Sequence, residues 1–502
     1  MRAAFFHAGL ITILIPSIGG CIDLSTDTPP PGSGGGGAGA TGGGGSGGAG
    51  GSGGGSPCAD CTWSRRYGDD MDQRVSNVAM DDEGSVFVTG SYDGSMFLGP
   101  NVGLTDVNGS TTTQAYLAKF DLKGNPQWIK NPEGYESMGG TGTEVAAASG
   151  LVVWAGGVGD DPILHDIFVE IHHPDGSRVK TILGSQWHDV STGIALSADG
   201  KSLFLSGIVH GSASTFTGCP AVAPFDAGSD PDLLVVSLDT ATGACKWGKV
   251  FGGGNHVGGT MSIAVGTDGN PVVSGLYVGG TINGTGLPVG TAGFVMKLGA
   301  ADGAILGSKS VQGLQPLAMD IDRTTGRIIV AGGQTTDILF GNPQVNHPGP
   351  TTSGDEGAIA IVAFETNLAE SWSRFLDGPA AQFVQYVTVN EAGRIYATGV
   401  TAGTFVIAPN MNADCPASDV CAFLLELEGP EGALLASKAR IFGQGQPKMA
   451  GLVLPMAARK GALAVAGAWG SDITLLDGIP LAASGSVTGD FDVVVGRFFQ
   501  DP

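Results

Sequence analysis

Short runs of apolar or β-branched residues, each ending in Ser, Thr or Ala followed by Gly, recur seven times along the chain. The glycines that close these runs lie 51 to 68 residues apart, and they are Gly90, Gly156, Gly207, Gly275, Gly332, Gly399 and Gly467. A unit that returns at a long and nearly constant interval is typical of a repeat architecture. The pattern therefore predicts seven copies of one supersecondary unit.

Within one unit, apolar and polar residues alternate between turn residues, which indicates four strands, a to d. In the first unit strand a is predicted over Val75–Met80, strand b over Ser85–Gly90 and strand c over Ala115–Asp121, with strand d around Trp128. A long polar loop separates strands b and c. Four short strands, repeated seven times, predict an all-β fold, a seven-bladed β-propeller of four-stranded blades.

The connection between strands c and d carries a second recurring phrase. It runs from Asp121 to Trp128 in the first unit and from Asp239 to Trp247 in the third, with weaker copies at Asp302-Gly303 and Glu431-Gly432. Gly supplies the positive φ that such a turn requires. We expect the Trp to pack the outer strand against the neighbouring blade.

The two ends of the folded part predict how the ring closes. The seventh unit ends on a strand c, Asp490–Phe499, and has no strand d after it. The segment Cys61-Thr62-Trp63-Ser64 has the pattern of a strand d with nothing before it. The N-terminal strand is therefore predicted to complete the last blade, which removes open sheet edges.

The repeat resembles the bacterial β-propeller repeats called SBBP repeats, which occur in many exported and surface proteins. The resemblance covers nearly all of residues 63–502 and lies in the strand a–b phrase, as in Asp82 to Gly90, and in the turn that ends on Trp. It implies the fold and little about activity. The phrase from Leu238 to Trp247 also resembles a repeat of quinoprotein alcohol dehydrogenases. Those enzymes have eight blades and a vicinal Cys pair, which this chain lacks.

The N-terminal segment predicts export and a lipid anchor. Residues 1–20 have one positive charge, Arg2, and a short apolar core, as in a secretory signal peptide. Ile18-Gly19-Gly20-Cys21 resembles the lipobox of bacterial lipoproteins, and this resemblance implies that Cys21 is acylated. The alternative is an ordinary secretory signal peptide, in which Cys21 is not a lipidation site. Because residue 22 is Ile and not Asp, the resemblance also implies anchoring in the outer membrane, on its periplasmic face or at the cell surface.

Residues 21–57 form a predicted linker between this anchor and the folded part at 58–502. The segment after Pro29-Pro30-Pro31 is nearly pure Gly, Ser and Ala, which can bury too little apolar area to offset chain entropy. A Gly-rich coil of this length spans about 30–36 Å. The linker is therefore expected to hold a propeller away from a membrane while leaving it free to turn.

The charge balance argues against polyanionic partners. The formal net charge is −23, with 47 acidic against 24 basic residues. Such a surface argues against nucleic acid or anionic lipid headgroups as partners. It fits a solvated acidic face, cationic partners or divalent ions, and the charge alone does not choose among them.

Seven cysteines leave six if Cys21 is acylated, and an even number in an exported chain suggests three disulfides. Cys58 with Cys61 and Cys415 with Cys421 are the natural local pairs, and Cys219 with Cys245 remain by elimination. The Cys58-x-x-Cys61 spacing also occurs in redox and zinc sites. No second such motif and no βαβ pattern accompany it, so a structural disulfide is favoured.

Two groups of residues are candidate ligands near one channel mouth. His188, Asp189, Asn255 and His256 lie in connections between strand d of one unit and strand a of the next, and could bind a polar ligand or a cation. The alternative is that the His residues are ordinary loop residues. Asp69, Asp70 and Asp72 precede the first unit and could bind Ca²⁺, although their spacing is not that of an EF-hand.

No motif in the chain predicts catalysis. The folded part, residues 58–502, has no G-x-S-x-G nucleophile elbow, and no pair of carboxylates stands out as a glycosidase site. The long b–c loops, such as Phe216 to Asp232 and Gly341 to Gly357, are expected to bind a protein or polysaccharide partner; alternatively, they are only decorated edge hairpins. The sequence thus favours a non-enzymatic binding or scaffold module of the cell envelope. The rival hypothesis is an enzyme, a hydrolase or lyase of extracellular polymers, with its site at one channel mouth.

Overall fold

The computed structural model of this protein describes residues 61–499 except 69–70, 106–112, 135–138, 162–163, 214, 227–230, 253–256, 281, 283, 342–343, 350–357, 378–381, 402, 409–410, 414, 416–420, 430, 436–438, 443–453, 470–472, 475–479 and 482–490. The described strands form seven antiparallel sheets arranged as the blades of a ring, so the prediction of a seven-bladed β-propeller is confirmed. Within the described ranges there is no helix with the length and apolar character needed to span a membrane.

Each blade runs from strand a at the central channel to strand d at the outer edge. The strands a to d are Gln73–Met80, Val86–Tyr92, Gln114–Phe120 and Pro126–Lys130 in blade 1; Gly139–Ala148, Leu151–Asp161, Leu164–His172 and Arg178–Leu183 in blade 2; Asp189–Leu196, Ser202–Val209, Asp232–Asp239 and Cys245–Phe251 in blade 3; and Val257–Val265, Pro271–Gly280, Gly290–Leu298 and Ile305–Val311 in blade 4.

The remaining three blades follow the same order. They are Leu314–Ile321, Ile328–Gln334, Ala358–Phe364 and Glu370–Leu376 in blade 5; Gln382–Val389, Ile395–Thr401, Cys421–Glu428 and an outer strand in two pieces, Ala433–Leu434 and Arg440–Phe442, in blade 6; and Met456–Arg459, Ala462–Trp469, Asp492–Phe499 and Trp63–Tyr67 in blade 7.

The ring closes as the sequence predicts. The strand Trp63–Tyr67 pairs antiparallel with Asp492–Phe499 and completes blade 7. A buried ion pair fixes this junction, because Arg66 Nε lies 2.6 Å from Asp492 Oδ2. The Arg66 guanidinium also donates to the carbonyl of Trp469 at 2.6 Å. The closure thus combines a strand pairing with a charge-assisted contact that water does not screen.

The tryptophans of the outer strands join neighbouring blades, as expected. Trp63 of blade 7 donates its indole N–H to the carbonyl of Leu122 in the c–d turn of blade 1, and Trp247 of blade 3 donates to Ala300 in that of blade 4. The turn glycine of the next blade lies against the indole ring, and its φ is positive, 76° at Gly124 and 68° at Gly303. A side chain at these glycines would displace the ring.

The repeated glycine of strand b is explained by the innermost strand. In six blades the pairing of strands a and b is interrupted by a register shift in strand a, a β-bulge or similar irregularity, close to where the repeat glycine pairs. There the backbone of strand a folds toward strand b. A Cβ at Gly90, Gly332 or Gly399 would overlap with a carbonyl oxygen of strand a. The glycine is therefore a steric requirement of the bulge.

The b–c loops fold back over the rim of the ring. In blades 1, 3, 5, 6 and 7 each loop contains a two-stranded hairpin, and in blades 1 and 5 the buried residues of the hairpin join the core between two blades. Met96 packs in the cluster that contains Trp63 of blade 7, and Phe340 in the one that contains Val311 of blade 4. The hairpins are therefore packed at the blade edges, and their binding of a partner stays a prediction.

Two disulfides attach such loops to the blades. Cys219 of the b–c loop of blade 3 bonds Cys245 of strand d, and Cys415 bonds Cys421 at the start of strand c in blade 6. Both predicted pairs are confirmed. Cys58 and Cys21 lie outside the described residues, so the Cys58–Cys61 pair and the acylation of Cys21 stay predictions.

Candidate functional site in the central channel

The innermost strands bring polar side chains together at mid-depth in the channel. Asn77, Glu144 and Tyr386 occupy one structural position in blades 1, 2 and 6, because each directly follows the bulge and pairs with the residue before the repeat glycine. All three keep part of their surface exposed. In the innermost strand of a closed ring, that exposure is to the channel.

Glu144 is the centre of this group. Its Oε2 accepts a hydrogen bond of 2.6 Å from the Asn77 side-chain amide. Burial raises the pKa of the Glu144 carboxyl to about 8, and the hydrogen bond from Asn77 opposes that rise only in part. Among the described residues no Lys or Arg pairs with this carboxyl. The channel therefore holds an acid that lacks a cationic partner from the described chain.

Tyr386 reaches past blade 7 to blade 1. Its hydroxyl donates to the carbonyl of Ser76 at 2.8 Å, across the side of the channel where the strand a of blade 7 has only four residues. Burial, and then the charge of Glu144, raise the pKa of the Tyr386 hydroxyl well above its usual range. The hydroxyl therefore stays protonated at physiological pH and keeps the Ser76 carbonyl as its acceptor.

Arg459 occupies the channel mouth on the side of the a–b turns. Its guanidinium donates to Ala147 O of blade 2 at 2.9 Å, to Met80 O of blade 1 at 3.5 Å, and to the Asp82 carboxylate. One cation from blade 7 thus binds the oxygens where the inner strands of blades 1 and 2 end. This contact joins the inner strands of blades 1, 2 and 7 at the face of the a–b turns.

Asp189, predicted as a rim ligand, begins strand a of blade 3 and is fully buried. Its Oδ2 accepts the Ser185 backbone N–H at 2.6 Å. Burial raises the pKa of Asp189 to about 7, and the nearby charge of Asp166 adds to the rise. His188 precedes it, with its ring 5.9 Å from that of His210, whose Nδ1 lies 2.9 Å from the His188 carbonyl. In the structure, the Asp189 carboxyl fixes the Ser185 turn.

The other predicted ligands contribute less to a described site. Asp72 accepts hydrogen bonds from Arg74 Nη2 at 2.9 Å and from the Phe491 backbone N–H at 3.2 Å, so it ties blade 1 to the closing blade. Asp69, Asp70, Asn255 and His256 lie outside the described residues. Across the described ranges no group of three His, Cys, Asp or Glu side chains is placed to hold a metal ion. The Ca²⁺ site stays a prediction.

Sequence reasoning missed Asn77, Glu144 and Tyr386. A signal does exist, because these residues lie 12 or 13 positions before the repeat glycines Gly90, Gly156 and Gly399. That spacing marks the inner-strand residue beside the bulge. Only the ring, however, shows that residues more than 200 positions apart meet in one channel.

The pH dependence of stability tests the environment of Glu144. An unfolded Glu titrates near 4.3, whereas the folded pKa is about 8, so the folded state binds the proton more tightly. The stability of the wild type is therefore expected to fall as pH rises from about 4.5 to 8. Glu144→Gln keeps the acceptor for Asn77 and cannot ionise. We expect it to melt at the same temperature as wild type near pH 4.5 and to be more stable by about 2–4 kcal/mol at pH 8.5.

Calorimetric melting curves from pH 4.5 to 9 measure this difference. Burial also raises the pKa of Asp189 and of Asp320, and these two carboxyls give wild type and variant a slope of the same sign, which cancels in the difference between them. If the stability of wild type and of Glu144→Gln depends on pH in the same way, the Glu144 carboxyl is not desolvated.

No protein-family model matches the chain, and no curated protein matches it either. Among solved structures, the quinohemoprotein alcohol dehydrogenase of Comamonas testosteroni is 12 % identical, with a TM-score of 0.41 over 88 % of this chain and 76 % of that one. The Dos1 propeller is 9 % identical, with a TM-score of 0.42 over 88 % and 96 %. Sqt1 from Chaetomium thermophilum is 14 % identical, with a TM-score of 0.38 over 87 % and 98 %. Likenesses this distant assign no activity.

Proposed function

We propose that this protein is a cell-envelope lipoprotein, anchored through acylated Cys21, whose β-propeller is a non-enzymatic binding scaffold. The lipobox-like segment and the Gly-rich linker support the anchor. The two disulfides support an oxidising, exported location. The scaffold role depends on the b–c hairpins, which form a surface around the rim of a rigid ring.

The observation that carries this proposal is the distribution of exposed apolar side chains. Nine large apolar side chains are exposed among the described residues. Seven of them lie in b–c loops or d–a connections, and these are Met71, Phe97, Trp187, Val289, Leu339, Val345 and Val406. Phe97 and Leu339 are each the outward residue between two buried ones in the first strand of a hairpin. Apolar side chains held outward on a rigid scaffold favour macromolecular binding.

The polar cluster in the channel favours a second function, an extracellular polymer-degrading hydrolase or lyase. Asn77, Glu144 and Tyr386 converge, and the pKa of Glu144 is raised, as in many catalytic sites. Glycoside hydrolysis, however, uses a pair of carboxylates. Tyr386 already donates to a backbone carbonyl. The hairpin surface is therefore the stronger basis for function.

Site-specific photo-crosslinking in living bacteria tests the binding surface. A benzophenone amino acid is placed at Phe97 or Leu339 in the full chain, and in control variants at Leu306 or Leu122. Leu306 is as exposed as the two test positions, at 56 % against 52 % and 55 %, but lies on an outer strand. We expect adducts of discrete mass at the hairpin positions, at least about fivefold more abundant than at the controls. Protease or glycan-cleaving treatment of the adduct identifies the class of partner.

The same cells test the anchor. Cys21→Ser should abolish incorporation of labelled fatty acid and release the protein from the membrane fraction. Equal adducts at all four positions, or none, would refute the scaffold surface, while retained labelling in Cys21→Ser would refute only the anchor.

A further inference from the structure

The channel contains two sets of oxygen acceptors on the same two blades, one three residues further along the strands than the other. The first set is Met80 O, Ala147 O and the Asp82 carboxylate, and the Arg459 guanidinium binds all three. The second set lies three residues earlier in the same strands, about 10 Å deeper. There the Glu144 carboxyl accepts from the Asn77 amide, whose own Oδ1 already accepts the Val78 backbone N–H. The chain therefore supplies a cation to the first level.

The second level has acceptors and no cation among the described residues. Glu144 offers a carboxylate whose one hydrogen-bond donor in the described part of the chain is Asn77. The Tyr386 hydroxyl uses its proton on Ser76 O, so its oxygen presents lone pairs. A carboxylate without a compensating charge is costly in a confined site. The arrangement therefore has the chemistry of an unfilled cation site.

The single carboxylate at this level indicates which kind of cation would fit. Divalent metal ions are held by several oxygen ligands, usually with more than one carboxylate. The described residues offer no group of three metal-ligating side chains. A primary ammonium carries a single charge and three donors, which suit one carboxylate and neighbouring neutral oxygens.

We propose that the channel binds the ammonium group of a primary amine, held by Glu144 with the Tyr386 and Ser76 oxygens beside it. This site is distinct from the hairpin surface, so the test of amine binding is independent of the test of the proposed scaffold role.

Calorimetric titration of the full chain with 1,4-diaminobutane tests the site, in 150 mM salt so that the acidic surface is screened. The neutral 1,4-butanediol is the matched control ligand. At pH 8.5 we expect saturable binding of one diamine and no binding of the diol. Glu144→Gln should weaken the affinity at least tenfold, and Tyr386→Phe about threefold. Asp175→Asn, which changes an exposed acid in the c–d turn of blade 2, should leave it unchanged.

A second readout needs no variant. At pH 7 the Glu144 carboxyl is mostly protonated, so binding of a cation there should release close to one proton, seen as a binding heat that depends on the buffer. Absence of binding to the wild type would overturn the proposal. Equal binding to wild type and Glu144→Gln would also overturn it, since that result means that the diamine associates with the acidic surface.

Discussion

Gly332→Ala is expected to destabilise the protein by about 3 kcal/mol or more, a large share of the about 5–15 kcal/mol by which folded domains are ordinarily stable. Gly332 pairs with Pro316 beside the bulge of blade 5, and a Cβ there would overlap with the carbonyl oxygen of Gln315. Backbone atoms on both sides of the overlap are held by sheet hydrogen bonds. The strain cannot be relieved by a rotamer change, so the inner strand itself must move.

The adjacent residue is the matched control. A Cβ at Gly333 would have its nearest contact, Phe383 Cδ1, at 3.6 Å, which is ordinary van der Waals distance. Gly333→Ala is therefore expected to change stability by less than about 1 kcal/mol. Denaturant unfolding of the two variants measures the contrast. If both lose the same stability, the repeat glycine is not required by the bulge.

Arg66→Ala is expected to destabilise the protein by about 3–5 kcal/mol, because it leaves the Asp492 carboxylate buried without its charge partner. The Arg66 and Asp492 side chains are only 6 % and 4 % exposed, and the pair joins the first strand of the fold to the last blade. Loss of this contact weakens the closure of the whole ring. We therefore expect one cooperative transition at a lower temperature, with earlier protease cleavage near residue 67.

An exposed ion pair provides the control. Arg178 lies 2.5 Å from Glu133, but the two side chains are 40 % and 48 % exposed. Arg178→Ala is expected to cost less than about 1 kcal/mol, since water screens the charges and solvates the remaining carboxylate. Differential scanning calorimetry compares the two variants. A loss in Arg66→Ala no larger than that in Arg178→Ala would show that strand pairing alone closes the ring.

The local patterns predicted the strands closely because each pattern reports a local physical requirement. The strand a of the first unit was expected at Val75–Met80 and lies at Gln73–Met80. The final strand was expected at Asp490–Phe499 and lies at Asp492–Phe499. Strand ends depend on pairing with a neighbour, which explains differences of one or two residues.

The candidate site was harder to predict from sequence. His188 and Asp189 were prominent as polar residues in a connection, yet the Asp189 carboxyl is buried and hydrogen-bonded to Ser185. Glu144 was overlooked because it lies within a run of small residues that has no motif. Its significance comes from Asn77 and Tyr386, which other blades supply.

The sequence by itself determined the number of blades, the c–d turns, the tryptophan packing and the closing strand, because these depend on residue types at fixed spacing. Only the tertiary structure decided why the repeat glycine is needed, where the b–c hairpins pack and which groups share the channel. These depend on distances between strands that the chain separates by tens to hundreds of residues. Burial, which raises the pKa of Glu144 to about 8, exists only once the ring has closed.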